Sequence, residues 1–415
     1  AKVNDYQPQL IFCDILMPRL DGYQTCAIIK RNTKFADVPV ILAGATSAIE
    51  SRAQVEAGRY QQIDLPARCG GATLPAIRAI DMCIDPPDRG AWISPKLVEQ
   101  ITLRLERGEQ SLLFLNRRGY APLTLCRTCG HRIECPNCTA WMVEHRLNRR
   151  LACHHCGHAM PPPRECPECK SEDSLVACGP GVERVADEVR ARWPDARVAI
   201  VTSDTLWSPA LAAEFVAGME AGMIDIVVGT QLVTKGYHFP NLTLVGVIDA
   251  DIGLSGGDLR ATERSFQQIA QVAGRAGRGE KPGEVLIQTR QPTAPVMAAL
   301  ISGDTEAFYA AETDARKEAR MPPYGRLAAI IVSSEDAHAA ERTAKAIGAA
   351  APNDPDIEVW GPVPAPLAML RGRHRHRLLI HAARAYPMQR VMREWLNGCD
   401  IPSKVRISVD IDPYS

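Results

Sequence analysis

The sequence predicts an α/β protein in which helices cover both faces of a parallel sheet, with a cysteine-rich insertion and a small α+β domain after it. Helical and strand-like segments alternate from residue 92 to about residue 290, as is typical of parallel sheets built from strand–helix–strand units. Four Cys-x-x-Cys pairs interrupt this alternation between residues 126 and 169. The chain therefore enters the sheet domain, leaves it for a cysteine-rich module, and returns.

Eight of the 14 cysteines form these four pairs. They are Cys126/Cys129, Cys135/Cys138, Cys153/Cys156 and Cys166/Cys169. Two sulfurs one tight turn apart span an edge of a tetrahedron, and two such pairs complete a zinc shell at about 2.3 Å per bond. The sequence thus predicts two zinc ions. We expect nested pairing, with the two inner pairs on one ion and the two outer pairs on the other. Pairing in chain order would leave only residues 130–134 between two pairs that bind the same ion.

The remaining composition sets broad limits. The chain has 415 residues, 46% of them apolar, which is enough for several domains. No apolar run approaches the roughly 20 residues that cross a bilayer, so no membrane partner is expected. Disulfides are the alternative use of the thiols, but the other cysteines are scattered, which favours a reduced, cytoplasmic protein. Lys plus Arg equals Asp plus Glu at 48 each, so any nucleic-acid contact must come from local patches.

The first 46 residues contain two strand-like runs. LIFCDIL, a turn and YQTCAIIKRN read as one βα unit, and VPVILAGAT at 38–46 reads as a second buried strand. A Gly/Pro-rich connector follows. The sequence therefore predicts a domain boundary between residues 65 and 90.

Polar residues follow two strand-like runs of the α/β segment. Gly229, Thr230 and Gln231 end the run IDIVVGT, with Lys235 close behind, and Asp249-Ala-Asp251 ends the run LTLVGVI. The carboxyl ends of adjacent parallel strands face the crevice where open α/β sheets bind ligands. We expect a ligand site at this edge.

An arginine motif follows these strands. Gln271 precedes Arg275 and Arg278, which lie three residues apart at the end of an expected helix. The guanidinium fork suits a phosphate group. A solvated basic turn is the alternative, since Gly-Arg turns are common on surfaces.

A second arginine set lies in the last hundred residues. Arg371, Arg373, Arg375 and Arg377 alternate with period two, so in an extended strand they share one face, with His374 and His376 on the other. This face could neutralise several phosphates of DNA. The alternative is an exposed basic edge strand that prevents strand aggregation.

The order of these motifs resembles the second motor lobe of superfamily 2 helicases, and specifically the PriA-type replication-restart DNA helicases (primosomal protein N-prime). The resemblance covers residues 39–415. It rests on SLLFLNRRGYAPLTLCRTCGHRIECPNC, the other cysteine pairs, GPGVERVADEV, DIVVGTQLVTKG, LVGVIDADIGL, LRATERSFQQIAQVAGRAGRG and MPPYGRLA. It implies a RecA-like second helicase lobe with an inserted two-zinc module.

The resemblance also implies roles and partners. Arg275 and Arg278 would be arginine fingers in an ATP-dependent 3'-5' DNA helicase, and Gln271 would help to position the nucleotide. Four residues would couple nucleotide state to DNA, namely Gly229, Thr230, Gln231 and Lys235. ATP and Mg would be cofactors besides zinc. Forked or single-stranded DNA, primosome proteins and single-strand-binding protein would be partners.

Two motifs of a complete motor do not occur in these 415 residues. There is no G-x-x-x-x-G-K-[ST] to cradle phosphates, and Asp187-Glu188 falls in a helical segment and not at a strand end where it would hold magnesium. We therefore expect a truncated or chimeric protein that lacks lobe 1 and does not unwind DNA by itself. In place of lobe 1, Asp14-Ile-Leu-Met-Pro-Arg-Leu-Asp21-Gly22 resembles the phosphoacceptor loop of two-component receivers, with Asp14 as a vestigial acceptor.

The expected division of the chain follows. A receiver-like βα fragment takes 1–38, the end of lobe 1 and a connector take 39–81, lobe 2 takes 82–125 and 179–304, the zinc insertion takes 126–178, and a C-terminal DNA- or partner-binding domain takes 305–415. A restart helicase by ancestry is the expected function. The alternatives are a non-enzymatic zinc-stabilised DNA- or protein-binding module and, more distantly, a phospho-signalling protein.

Overall fold

The structure is a computed structural model. It describes residues 7–15, 22–44, 46–63, 74–115, 123–129, 131, 133, 135–136, 142–145, 150–152, 158–178, 182–202, 208–230, 239–254, 260–370 and 372–413. The chain divides into two compact units, residues 1–63 and 64–415.

The first unit is built around a two-stranded parallel sheet. Its elements are β1 (Ile11–Asp14), α1 (Gly22–Arg31), β2 (Val40–Ala43) and α2 (Ile49–Glu56). Ile11 pairs with Val40, so the expected βα fragment and the strand that follows residue 38 belong to one sheet. Asp14 is exposed at the carboxyl end of β1. Residues 16–21 of the phosphoacceptor-like loop lie outside the described residues.

The second unit contains a six-stranded parallel sheet. Its strands are β3 (Ala76–Asp81), β4 (Gln110–Phe114), β10 (Val198–Val201), β11 (Ile226–Gly229), β12 (Leu242–Val247) and β13 (Glu284–Thr289), in the order β10-β11-β4-β12-β13-β3. The two central strands β4 and β12 are buried along their whole length. Such continuous apolar runs are what a sheet covered on both faces requires. The parallel α/β class expected from the alternation is confirmed.

Helices precede or follow most of these strands along the chain. They are α3 (Pro95–Glu106), α4 (Val182–Arg192), α5 (Pro209–Glu220), α6 (Ala261–Ala273) and α7 (Pro295–Ser302), with a short 3₁₀ turn at Asp251–Leu254. The sequence sets the start of α3, because the Ser94 hydroxyl accepts from the Leu97 amide and Pro95 occupies the first turn. Leu97 and Ile101 of this helix then pack against Leu113, Val228 and Leu286 of the sheet.

One expected boundary is wrong. Residues 76–81 were expected in the connector before the sheet domain, yet they form the edge strand β3, which pairs in parallel with β13 from Ala76↔Glu284 to Asp81↔Thr289. The run AIRAID is exposed at Ala76 and Arg78 and buried at Ile80, and as the last strand of the sheet it pairs on one side only. A pairing partner about 200 residues away leaves no local trace in the sequence.

The cysteine-rich module contains a five-stranded antiparallel sheet. Its strands are β5 (Leu123–Cys126), β6 (Val143–His145), β7 (Arg150–Ala152), β8 (Ala159–Met160) and β9 (Leu175–Cys178), in the order β8-β7-β6-β5-β9. The first and last strands, β5 and β9, pair with each other, from Leu123↔Cys178 to Cys126↔Leu175. This pairing closes the module where it leaves and rejoins the α/β sheet, as expected of an insertion.

The C-terminal part is α+β, as expected. The linking helix α8 (Thr305–Glu318) precedes β14 (Gly325–Ser334), α9 (Ala337–Ala349), β15 (Ile357–Leu370), β16 (Arg373–Ala383), α10 (Met388–Asn397) and β17 (Arg406–Ile411). The antiparallel sheet has the order β15-β16-β14-β17. This is a split β-α-β-β-α-β arrangement. Ile330, Val332 and Leu378 of one sheet face form a core with Ile347 of α9 and Met392 of α10.

Across the described part of the chain, none of the helices combines the length and apolar character needed to cross a membrane.

Candidate metal centre and strand-end site

Four cysteines of the module lie together. The Sγ atoms of Cys126 and Cys169 are 3.6 Å apart, those of Cys129 and Cys166 are 3.7 Å apart, and all four lie within 4.8 Å of one another. Cys126 and Cys166 are buried, and Cys129 and Cys169 are half-buried. The structure thus brings together the outer set of the nested arrangement.

Two short turns present these sulfurs. In the first turn, which we call the first knuckle (Cys126–Cys129), the Thr128 amide donates to Cys126 Sγ at 3.3 Å, and the Cys126 amide donates to the His131 carbonyl. In the second, the Lys170 amide donates to the Cys166 carbonyl at 3.0 Å. Lys170 has φ 60°, a left-handed conformation that lets the chain reverse directly after Cys169. Ser174 joins the two turns, because its carbonyl accepts from the Arg127 amide and its hydroxyl lies 3.2 Å from Cys126 Sγ.

The thiols of this cluster titrate unequally. Burial would raise the pKa of Cys126, but hydrogen bonds to its sulfur, first that with Ser174, outweigh burial and lower the pKa to about 6. Burial raises the pKa of the neighbouring Cys129 to about 12. Four sulfurs this close cannot all carry a negative charge without a cation among them. A divalent cation would hold all four as thiolates.

The geometry of the four sulfurs fits zinc. Four thiolates at about 2.3 Å from a tetrahedral ion are about 3.8 Å apart, and the measured pairs at 3.6 and 3.7 Å are close to that value. Of the inner set, only Cys135 is described, and it is buried. Cys138, Cys153 and Cys156 lie outside the described residues.

Arg290 connects the first knuckle to the six-stranded sheet. Its Nη1 donates to the carbonyl of Arg127, between the two ligands of that knuckle, at 3.1 Å. Its own amide donates to Asp251 Oδ2 at 2.8 Å, while Thr289 Oγ1 donates to the other carboxylate oxygen at 2.6 Å. Asp251 is almost fully buried. Side chains from the ends of β12 and β13 therefore hold the backbone that carries Cys126 and Cys129.

The strand ends are arranged differently from the expectation. Gly229 and Thr230 end β11 and Asp249 and Asp251 follow β12, but β4 lies between these two strands. The run QSLLF of β4 pairs with both, because a strand buried on both faces takes the centre of the sheet. The Thr230 amide donates to the Val201 carbonyl at 3.1 Å. Gln231 and Lys235 lie outside the described residues.

The arginine motif lies at the opposite end of the sheet from these residues. α6 ends at Ala273, and the turn after it docks on the amino end of β12, where the Gly277 amide donates to the Leu242 carbonyl at 3.0 Å. Gly277 has φ +66°, and a Cβ there would lie 2.4 Å from the Gly283 nitrogen. Only glycine permits this crossing of two backbone segments.

The members of the motif differ in exposure. Arg275 is buried, whereas Arg278 and Gln271 are half-buried. Arg278 Nε donates to the Gly274 carbonyl at 2.9 Å, which closes the turn. The solvated basic turn that was the alternative interpretation is therefore wrong for Arg275.

A buried ion pair anchors α6 to the linking helix α8. Arg316 Nη2 donates to Glu263 Oε2 at 2.6 Å and Arg316 Nε to Glu312 Oε1 at 3.0 Å, while Nη1 reaches the Pro322 carbonyl. The side chains of Arg316 and Glu263 are 5% and 4% exposed. Phe266 and Phe308 stack beside them, with ring centroids 3.9 Å apart. The helix that leads into the arginine motif is thus fixed to the chain that enters the C-terminal part.

The C-terminal arginines do not lie on an edge. β16 pairs with β15 on one side and β14 on the other, so the edge-protection alternative is wrong. Arg373 donates to Glu335 at 3.2 Å and to the carbonyls of Ser333 and Lys404, both at 3.1 Å. Arg377 is buried and Arg375 is half-buried. Arg371 lies outside the described residues.

Several residues that shape these sites give no signal in the sequence. Arg290 is a single arginine after a strand, and Glu263 and Arg316 look like ordinary residues of amphipathic helices. Arg406 is a single basic residue in the run VRISVDIDP. Their importance comes from pairing between distant segments, which short-range patterns do not report.

Comparison with known proteins shows which protein family the chain resembles. The family model for the primosomal protein N C-terminal domain matches residues 317–414, and that for the PriA DNA helicase Cys-rich region domain matches residues 135–161. The replication restart protein PriA of Rickettsia felis is 41% identical over 381 residues, 92% of this chain and 59% of that protein. That of Bacillus subtilis is 36% identical over 404 residues, 96% of this chain and 50% of that protein. The chain thus spans little more than half the length of these relatives.

Among solved structures, RecG bound to a three-way DNA junction is 14% identical with a TM-score of 0.37, covering 74% of this chain and 29% of that one. This similarity is too weak to carry an argument. The parallel sheet, the thiolate cluster and the α+β part define a multidomain α/β protein with a cysteine-rich module suited to zinc. The chain belongs to the PriA family of replication restart proteins.

Proposed function

We propose that this chain takes part in replication restart in the cytoplasm, binding single-stranded or forked DNA through a PriA-type second helicase lobe, a zinc module and a C-terminal domain. The identity to restart proteins over 92% of the chain carries this proposal. The four-thiolate cluster supports it, because its cysteines flank residues 135–161 on both sides, and the family model for the PriA DNA helicase Cys-rich region matches those residues. Primosome proteins and single-strand-binding protein are proposed as partners on the same ground.

We propose two zinc ions as the metal content. Cys126, Cys129, Cys166 and Cys169 would hold one ion, and the inner set of Cys135, Cys138, Cys153 and Cys156 would hold the other. The spacing of the four described sulfurs supports the first ion. Zinc in a complete thiolate shell has no open position, so these ions would stabilise the module and would not act on substrate.

We propose that this chain supplies only part of the nucleotide site of the family. Arg275, Arg278 and Gln271 would act on ATP and Mg held by groups that these 415 residues do not supply, since the sequence contains no phosphate-cradling motif. The chain alone would then act as a zinc-stabilised DNA-binding module. Phosphotransfer to Asp14 stays the distant alternative, which labelling with acetyl phosphate would test.

The experiment is DNA binding by the whole chain. A fluorescent single strand and a fork should both bind, and log affinity should fall linearly with log salt, because each neutralised phosphate releases counterions. Equal charge of both signs over the chain makes this outcome informative, since net charge alone would attract no DNA. Absence of salt-dependent binding to either DNA would contradict the proposal.

A further inference from the structure

We propose that the sheet face opposite α9 and α10 binds a single DNA strand, with Arg375 and Arg406 as the phosphate contacts and Arg373 as the residue that positions them. This inference rests on the proposed DNA-binding function and assigns the surface. It differs from the expectation of four equivalent arginines on one strand.

The register of the sheet places the two arginines in one row. Ser333 of β14 is directly opposite Arg375 of β16 on one side and Arg406 of β17 on the other. Directly opposite residues of antiparallel strands point to the same face. Strands are about 4.8 Å apart, so the two Cα atoms are about 10 Å apart with a serine between them. We call this set the arginine row (Arg375, Ser333 and Arg406).

Helices α9 and α10 leave this face uncovered. Further along the strands the face is buried at Arg377 and at Leu327, Ala329 and Leu379, so its accessible part is the end that carries the row. Val332, Ile330 and Leu378 point to the other side and pack with Ile347 and Met392 of the helices. The side chain of Arg406 is exposed, and it makes no ion pair or hydrogen bond within the described part of the chain, while Arg375 and Ser333 are half-buried. The Ser333 hydroxyl donates to the Arg406 carbonyl at 3.4 Å, so the row presents positive charge on an accessible part of the sheet.

Arg373 holds the row together without belonging to it. Its Nη2 donates to the carbonyls of Ser333 and Lys404, so it ties the end of β14 to the segment before β17. Glu335 accepts from Nη1 at 3.2 Å and offsets the charge of Arg373 locally. These contacts fix Arg406 beside Arg375, and they leave Arg373 less able to contact a phosphate.

An acidic residue marks where the basic surface ends along the strand direction. Exposed Ser408 continues the face next to Arg406, and exposed Asp410 follows about 13 Å from Arg406, four residues along the strand. The basic area therefore ends at Asp410, and its length is enough for a few nucleotides. A flat sheet face enters neither groove of a duplex, whereas it can lie along an unpaired strand. Single-stranded DNA is the partner that fits.

The test compares two double variants of the whole chain. Arg375→Ala/Arg406→Ala should flatten the slope of log affinity against log salt for a single strand by about 1.4, from about 0.7 for each lost phosphate contact. Arg390→Ala/Arg393→Ala removes the same charge from the exposed side of α10 and should leave the slope unchanged. Equal slopes for the two double variants would overturn the assignment of this face.

A cross-linking experiment keeps the inference testable if the double variant folds poorly. A photo-cross-linking amino acid at Ser408 should label a bound single strand, and the same group at Asn397 of α10 should not. Labelling from Asn397 alone would overturn the inference. A larger loss for a duplex than for a single strand would overturn the choice of partner. If the unchanged chain binds no DNA in a salt-dependent way, the proposed function itself fails.

Discussion

Arg290 donates a hydrogen bond to the backbone carbonyl of Arg127 and thereby ties the first knuckle to the ends of β12 and β13. The same arginine is held by Asp251 through its amide. A cysteine-rich module and a parallel sheet that could have been joined only by the chain are thus connected by a side chain as well. We therefore expect changes at the ends of β12 and β13 to affect metal binding at the first knuckle, and metal binding to affect those strand ends.

Replacing Arg290 by Ala should speed the release of zinc to a chromogenic chelator. Groups that orient metal ligands typically contribute about 10- to 100-fold to metal affinity, and Arg290 orients the backbone between two ligands, so we expect about tenfold. Arg164→Ala removes an exposed arginine of the same module and should have no effect. Equal release rates for the two variants would show that the hydrogen bond does not support the metal site.

Metal analysis tests the nested thiolate sets. The purified chain should contain two zinc ions, and Cys166→Ser should lose one of them, because it removes a buried ligand of the outer set. Cys83→Ser, which lies outside the module, should keep both. A single ion per unchanged chain, or loss of both ions from Cys166→Ser, would contradict independent nested sites.

Breaking the buried pair between α6 and α8 should destabilise the second unit strongly. Glu263→Gln removes the more deeply buried of the two carboxylates that pair with Arg316 and leaves only Glu312, and losing one partner of a buried pair typically costs about 3 to 5 kcal/mol. Glu263→Met/Glu312→Gln/Arg316→Met should recover much of this loss, because it removes all three charges of the cluster together. Urea denaturation would measure the differences.

An exposed pair provides the control for that measurement. Lys345 and Glu341 lie four residues apart on α9 with exposed side chains, and Glu341→Gln should lower the free energy of unfolding much less than Glu263→Gln, because water screens an exposed pair. Similar losses for Glu263→Gln and Glu341→Gln would contradict the anchoring role of the buried pair.

Lowering the pH should remove the contribution of Asp225 to the stability of the fold. Hydrogen bonds from Arg197 hold the pKa of Asp225 below its ordinary value. A carboxyl with a lowered pKa stabilises the fold above its unfolded pKa of about 3.9, and this stability disappears as pH falls through the folded value. The stability difference from Asp225→Asn should therefore be full at pH 7 and vanish in strong acid. An Asp225→Asn stability difference that does not change with pH would contradict the prediction.

The purified chain should not hydrolyse ATP at a useful rate, with or without DNA. An arginine finger stabilises charge on a phosphoryl group that other residues must already hold, and this sequence contains no motif that holds one. DNA-stimulated phosphate release that disappears in Arg278→Ala would contradict this expectation.

Local patterns predicted much of this molecule. The apolar runs IDIVVGT and LTLVGVI form β11 and β12 where the sequence indicates strands. The outer thiolate set followed from spacing alone, because ligand geometry limits how four pairs can be combined.

Non-local pairing explains what the sequence did not predict. Nothing within β4 indicates that it separates β11 from β12, and nothing in RGRHRHR distinguishes a central strand from an edge. The position of Arg275 and Arg278 at the opposite end of the sheet follows from the glycine crossing at Gly277 and Gly283, which depends on two segments that meet only in the folded chain.

The order of strands in the C-terminal part has a consequence for how the protein is made. β17 pairs with β14, whose residues leave the ribosome about 80 positions earlier. One hydrogen-bonding edge of β14 therefore stays unpaired until β17 has been synthesised. That edge carries the apolar residues Ile330 and Val332, which are fully buried in the finished fold. Slow synthesis between α9 and β17 would prolong exposure of an apolar edge, and aggregation of nascent chains would be most sensitive to translation rate in this interval.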